Sequence, residues 1–157
     1  HHDALTTGRP DKKDPNNTYV SRYVDMPNEP LFPFGFGLSY AQFRFGELSL
    51  SAKSITRDEE LLVRCTVTNS SARPGETVAQ LYITCEHSPR LHPQRELAAF
   101  QRISLAPGQS QTVVFSIYER LLTVYNAQGE PQVYKSRYAI AVGQDSTAPM
   151  SAHFVFQ

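Results

Sequence analysis

The sequence predicts an all-β protein: a two-layer antiparallel β-sandwich of about seven strands behind an extended N-terminal arm. Three observations predict it. From Phe43 onward, short alternating apolar and polar runs recur at intervals of roughly ten residues, separated by turn formers, which is the pattern of a sandwich. No amphipathic helical period interrupts them. Before them, Arg9-Pro10-Asp11-Lys12-Lys13-Asp14-Pro15-Asn16-Asn17 and Met26-Pro27-Asn28-Glu29-Pro30 are turn formers with neither a helical nor a strand period. The expected division is an extended arm and aromatic linker over 1–40 and a sandwich over 41–157.

Strands are expected near 43–51, 61–69, 77–85, 96–103, 111–117, 137–142 and 152–156. The first offers Phe43, Phe45, Leu48 and Leu50 to a core. In the second, Leu61, Val63, Cys65 and Val67 share one face and Arg64, Thr66 and Thr68 the other, so one side is core and one faces water. The third reads the same way, with Ala79, Leu81, Ile83 and Cys85 inward and Gln80, Tyr82 and Thr84 opposing them. Between these two, Ala72-Arg73-Pro74-Gly75 is a turn, and Ala106-Pro107-Gly108 is another, each with Pro fixing φ and Gly free to take a positive one. Across 118–134, Glu119-Arg120-Leu121-Leu122 suits a helical turn and Asn126-Ala127-Gln128-Gly129 a small hairpin, together decorating one end of the sandwich.

The 157 residues carry 15 basic and 15 acidic side chains. That balance supplies neither a basic face for nucleic-acid phosphates nor a polybasic anchor for an anionic membrane. No apolar run approaches the roughly 18 to 20 residues that span a bilayer. Nucleic acid and membrane are therefore not expected as partners. His1-His2-Asp3-Ala4-Leu5 lacks the regions of a signal peptide, so any export signal is expected outside the chain. Two cysteines exclude a disulfide scaffold and a four-cysteine zinc site. Cys65 and Cys85 both fall at the apolar parity of their strands and read as buried small hydrophobes, with a single bridge between them left open.

Residues that would carry chemistry are scarce. None of His1, His2, His87, His92 and His153 has a metal-ligand partner at helical or hairpin spacing. There is no Gly-x-Ser-x-Gly elbow and no P-loop, and no helix follows Phe34-Gly35-Phe36-Gly37 whose N-terminus would receive an anion. Glu59, Glu60, Glu76 and Asp145 read as solvated strand ends or turns. Glycoside hydrolysis needs two carboxylates about 5 to 9 Å apart in a cleft, and nothing in the sequence places such a pair. The sequons at Asn16 and Asn69 are read as chance. No catalytic residue, metal site or cofactor is expected.

The densest feature is Leu31-Phe32-Pro33-Phe34-Gly35-Phe36-Gly37-Leu38-Ser39-Tyr40, with six large apolar or aromatic residues in ten. A polar linker does not look like this. The reading favoured is a buried seam against another domain, with Phe32, Phe34, Gly35, Phe36, Gly37, Leu38 and Tyr40 as interface residues. The alternative is that the strip packs along the sandwich's own edge.

This strip, continued by Ala41-Gln42-Phe43, resembles the Pro-Phe-Gly-Tyr-Gly-Leu-Ser-Tyr signature of family 3 glycoside hydrolases, the β-glucosidases and β-xylosidases. Val67-Thr68-Asn69, Gly75-Glu76-Thr77-Val78-Ala79-Gln80-Leu81-Tyr82, the stretch from Pro93 to Ser110, and Tyr138-Ala139-Ile140-Ala141-Val142-Gly143 are similar to successive strands of the same family. Upstream, Thr7-Gly8-Arg9-Pro10 and Ser21-Arg22-Tyr23-Val24-Asp25 resemble its exit from an α/β domain. Ala99, Ser71 and the lack of Pro-Gly before Tyr138 depart from the pattern only at turns. The resemblance, nearest to bacterial periplasmic members, implies a C-terminal fibronectin type III-like sandwich in a periplasmic or secreted enzyme. In such an enzyme the aspartate nucleophile and the glutamate acid/base lie upstream, in a (β/α)8 barrel and an α/β domain, and no residue here matches either motif. The implied partners are those catalytic domains and, for the whole enzyme, an oligosaccharide with terminal β-linked glucose. The implied role is to brace the catalytic domains. A different reading is a free-standing carbohydrate-binding or adhesion module using Tyr82 or Tyr118 as a sugar platform, which the lack of Trp disfavours. Arg9 and Arg22 receive no role.

Overall fold

Alternation at period two buries one face of each long run, and two such faces close on one another. The computed structural model describes residues 30–88 and 93–157. Residues 1–29, with Arg9, Arg22, both N-terminal histidines and the Asn16 sequon, lie outside the described residues, as does His92. The strands are β1 (Phe43–Leu50), β2 (Ser54–Ile55), β3 (Leu61–Asn69), β4 (Gly75–Cys85), β5 (Glu96–Leu105), β6 (Ser110–Ile117), β7 (Val124–Tyr125), β8 (Pro131–Gln132), β9 (Ser136–Gly143) and β10 (Ala152–Phe156). A single 3₁₀ turn, Glu119–Leu122, follows β6 among the described residues. The long strands are the seven expected. The three two-residue strands are too short to show a period, and β7–β8 is the small hairpin expected at 126–129.

One sheet has the order β1-β3-β6 and the other β2-β10-β9-β4-β5. Every long pairing is antiparallel, while β2 runs parallel to β10. Between the sheets lie Leu61, Val63, Cys65 and Val67 of β3, Val113, Phe115 and Ile117 of β6, Leu81 and Ile83 of β4, and Tyr138 and Ile140 of β9. The register of β1 on β3 slips between Phe45 and Leu48, so a bulge switches the inward parity from odd to even residues. Tyr138 stacks on Phe154 with ring centroids 5.4 Å apart, and its hydroxyl donates to the Tyr134 carbonyl at 2.9 Å. That back-bond near the start of a strand is the tyrosine corner of immunoglobulin-like sandwiches. Burial pushes the Tyr138 phenol far above its ordinary range.

Asn69 ends β3 fully buried. Its Nδ2 donates to the carbonyls of Arg73 (2.7 Å) and Leu105 (3.0 Å), and its Oδ1 accepts from the Ser71 amide (3.0 Å) and hydroxyl (2.6 Å). The side chain is therefore a staple for the 70–74 turn and has no face open to a glycan.

The two outer faces differ. On β3 and β6, Arg64, Thr66 and Thr112 are exposed, with hydroxyl pairs Thr66–Thr112 at 3.2 Å and Thr68–Ser110 at 2.7 Å. This face is wet, as expected. On β4 the expectation fails: Gln80 and Tyr82 are only 6% and 1% exposed, because a second layer of chain covers that face. Cys85, expected in the core, is only half-buried near the end of β4, and both cysteines are free thiols.

Candidate docking site

Antiparallel partners share a face, so the register defines what lies under the covering layer. Gln80 is paired with Phe100 on β5 and Gly143 on β9, and Tyr82 with Leu97 and Ala141. The outward residues of β9 are thus Ala139, Ala141 and Gly143, too small to keep a second layer away. Tyr82, Ala141 and Ala148 form a small buried cluster with Met150 packed against it. A Cβ on Gly143 would lie 2.4 Å from the Cβ of Ala148, so the β9–β10 connection closes onto the sheet only because residue 143 is glycine.

The aromatic strip is the other half of this layer, and backbone holds it. Phe36 donates its amide to the Pro33 carbonyl at 3.1 Å, closing a turn in which Gly35 has φ of +81°. The Phe34 carbonyl accepts from the Ser146 amide at 2.9 Å and from the Tyr82 hydroxyl at 3.3 Å. The Gly35 carbonyl accepts from Gln80 Nε2 at 3.0 Å. Gln80 also donates to the Gln144 carbonyl, and its Oε1, at 2.5 Å, shares the one Tyr82 hydroxyl proton with the more distant Phe34 carbonyl. Desolvation raises the Tyr82 phenol above its ordinary value, with Asp145 adding to the rise and Arg95 opposing it. Arg95 holds the other end of the layer by donating to the carbonyls of Ser146, at 2.7 Å, and Ala148.

With its main chain turned inward, the strip turns its side chains outward. Leu38 and Tyr40 are 92% and 93% exposed, and Leu31, Phe32, Phe34 and Phe36 are also open to water. Phe32 and Phe36 lean on one another with centroids 5.0 Å apart. A groove runs along each side. One, of about 620 Å³, lies between Phe36–Ala41 and the Val78, Glu76 and Arg102 side of the sheet. The other, of about 930 Å³, lies between Phe32–Phe34 and Leu97, Glu96 and Arg95.

The structure therefore brings Phe32, Phe34, Gly35, Phe36, Gly37, Leu38 and Tyr40 together on one face. It divides the two glycines: Gly35 is pressed onto Gln80 and Tyr82, while a Cβ on Gly37 would meet nothing. Gln80, Tyr82 and Ser146 were missed as parts of the site. The signal available was the alternation of small residues in Ala139, Ala141 and Gly143, which marks a sheet face approached closely by other chain.

Carboxylates elsewhere have local partners. Glu59 accepts from the Thr56 amide at 2.6 Å, Glu60 from the Tyr118 hydroxyl at 2.7 Å, and Asp145 from the Thr147 amide at 2.8 Å, while Glu76 pairs with Arg102. Among the described residues no three His, Cys, Asp or Glu side chains gather as a metal site. The sugar-platform reading loses both tyrosines: Tyr82 is buried, and Arg120 lies over the Tyr118 ring, 5.2 Å from its centroid.

Comparison with known proteins adds four findings. Residues 77–146 match the model of the fibronectin type III-like domain. A periplasmic β-glucosidase of Salmonella typhimurium is 35% identical over 150 residues, which are 96% of this chain and 20% of that protein. A putative β-xylosidase of Formosa agariphila is 33% identical over 82% of this chain and 17% of its own. Among solved structures, the β-glucosidase of Listeria innocua in complex with gluconolactone aligns with a TM-score of 0.83 and 32% identity, over 98% of this chain and 21% of that one. The chain thus spans about a fifth of the length of the relatives it matches.

Proposed function

We propose, since this chain belongs to the fibronectin type III-like domains of family 3 glycoside hydrolases, that it serves as the C-terminal accessory domain of a β-glucosidase and braces the catalytic domains of the same polypeptide. The whole enzyme would hydrolyse the O-glycosyl bonds of β-glucosides, with short oligosaccharides as substrate, in the periplasm or outside the cell. The names and lengths of the relatives support this reading, in which the catalytic carboxylates belong to the rest of the polypeptide. In this reading residues 1–40, of which only 30–40 are among the described residues, serve as the arm and linker from a preceding α/β domain, and 41–157 as the sandwich. One observation carries the bracing role: a strip whose backbone is pinned to its own sheet leaves Phe32, Phe34, Phe36, Leu38 and Tyr40 facing water. Exposed aromatic patches of this kind mark interfaces.

Burying one Phe side chain stabilises by roughly 1.5–3 kcal/mol, so Phe36→Ala should loosen domain docking in the whole enzyme. The measurement is thermal unfolding of the same variant in the whole enzyme and in this chain alone. A loss confined to the whole enzyme is expected. An equal loss in the isolated chain would mean that the strip serves only its own sandwich. The isolated chain should hydrolyse no aryl β-glucoside above the buffer rate.

A further inference from the structure

The strip is not the whole of the exposed apolar surface on this side of the molecule. Phe100, in the middle of edge strand β5, is 70% exposed, and it is paired directly with Gln80, the residue on which Gly35 rests. Its neighbours on the same outer face are Leu97, paired with Tyr82, and Arg102, paired with Val78. Arg102 and Val78 wall the groove on one side of the strip, and Leu97 walls the groove on the other. Phe100 thus lies on the strand between Leu97 and Arg102, which wall one groove each. The ion pair of Arg102 with Glu76 lies at one end of this surface, and Arg95 and Glu96 at the other. An apolar centre with a charged rim is the anatomy of a protein interface. The opposite outer face of the sandwich carries threonine and serine hydroxyl pairs around Val114 and, among the described residues, no exposed phenylalanine.

We infer that β5 forms the second half of the docking surface, with Phe100 as its anchor, and that its occupant is the catalytic part of the same polypeptide. This inference rests on the bracing role proposed above. The choice of occupant follows from length and continuity. About four-fifths of each relative lies outside the matched region, and the β5 surface faces, across the two grooves, the strip that leads into the sandwich. A partner that covers the strip also reaches Phe100, because both grooves are bounded by the strip on one wall and the β4–β5 face on the other. An aromatic on an exposed edge strand is otherwise an invitation to aggregation, and burial against a fixed partner removes it.

The test uses the whole enzyme and this chain alone, each as wild type, Phe36→Ala, Phe100→Thr and Val114→Thr. Threonine keeps strand propensity at position 100. Val114 is exposed on the opposite, polar face and serves as the control. The readouts are protease cleavage between the catalytic part and the sandwich, and thermal unfolding of the isolated chain. Phe100→Thr should speed cleavage by about ten- to a hundred-fold, the factor expected for one buried Phe, and leave the isolated chain and the control unchanged. If Phe36→Ala speeds cleavage while Phe100→Thr behaves like Val114→Thr, the β5 surface is refuted and the bracing strip stands. If neither variant changes cleavage, both are refuted. An equal loss of stability in the isolated Phe100→Thr chain refutes the docking role of Phe100.

Discussion

Replacing Gly35 by Ala separates a strip held in place by the sandwich from one that merely lies near it. The residue has φ of +81°, where a side chain costs about 1–2 kcal/mol. The new Cβ would fall 2.0 Å from Gln80 Oε1 and 2.6 Å from the Tyr82 hydroxyl. Neither atom is free to retreat, since both belong to the hydrogen bonds that seat the strip. Swinging Gln80 away gives up its bond to the Gly35 carbonyl and the bond it accepts from Tyr82, each worth about 0.5–1.5 kcal/mol. The lower chain entropy of Ala offsets about 0.4–1 kcal/mol. The seated strip should lose about 2–3 kcal/mol, roughly a thirty- to hundred-and-fifty-fold drop in its population relative to the unseated form. Hydrogen exchange reads this directly through the amides of Phe36 and Ser146, which donate to the Pro33 and Phe34 carbonyls. Their protection should fall by that factor while the amides of Val63 and Cys65 in β3 change far less. Unchanged protection at Ser146 would refute the seat. A uniform fall at all four amides would show that strip and sandwich unfold as one unit. Tyr82→Phe removes one hydroxyl without adding a clash and should give a smaller effect, about tenfold at Ser146.

Two further outcomes follow from other parts of the fold. Asn69→Ala takes a buried donor from the Leu105 carbonyl and one of two from the Arg73 carbonyl, which the Ser71 hydroxyl also reaches at 3.2 Å, so the sandwich should lose about 1–3 kcal/mol, measured as a shifted midpoint in urea with unchanged slope. Glu60 is held below its ordinary value of 4.5 by hydrogen bonds from Ser116 first and Tyr118 second. A depressed carboxyl adds stability that is complete above its unfolded value and is lost as pH falls through the folded one. Glu60→Gln should therefore lower stability near pH 7 and flatten the profile below about pH 4.5, so that the variant converges on the wild type in acid, as followed by thermal melts across pH.

The sandwich was legible because its core obeys period two. Leu61, Val63, Cys65 and Val67 alternate with Arg64, Thr66 and Thr68, and the fold buries one set and wets the other. Where the period breaks, the fold has a reason. The move from Phe45 to Leu48 is a bulge, which the sequence showed as a change of parity without naming it. The 3₁₀ turn at Glu119–Leu122 and the hairpin closed by Gly129 were legible from local turn chemistry, while β2 was not, since two residues paired in parallel with β10 carry no local signal. The strip's composition marked it as an interface. Its seat escaped notice because Gln80 and Tyr82 alternate with apolar residues as a wet face does.

Gln80 and Tyr82 look polar in sequence for the same reason that they are buried in the fold. A strip that points its aromatic side chains outward offers only carbonyls and amides to the sheet beneath it, and buried carbonyls need donors. The sheet meets them with an amide side chain, a phenol and the Ser146 amide, not with apolar contact. Apolar residues at positions 80 and 82 would leave the Gly35 carbonyl without its donor and cost the Phe34 carbonyl one of its two. The polar parity of β4 is therefore the imprint of the strip's inverted orientation. A strip that buried its own phenylalanines on the sheet would instead call for leucine or valine at those two positions, and the rings would then have nothing left to offer a neighbouring domain.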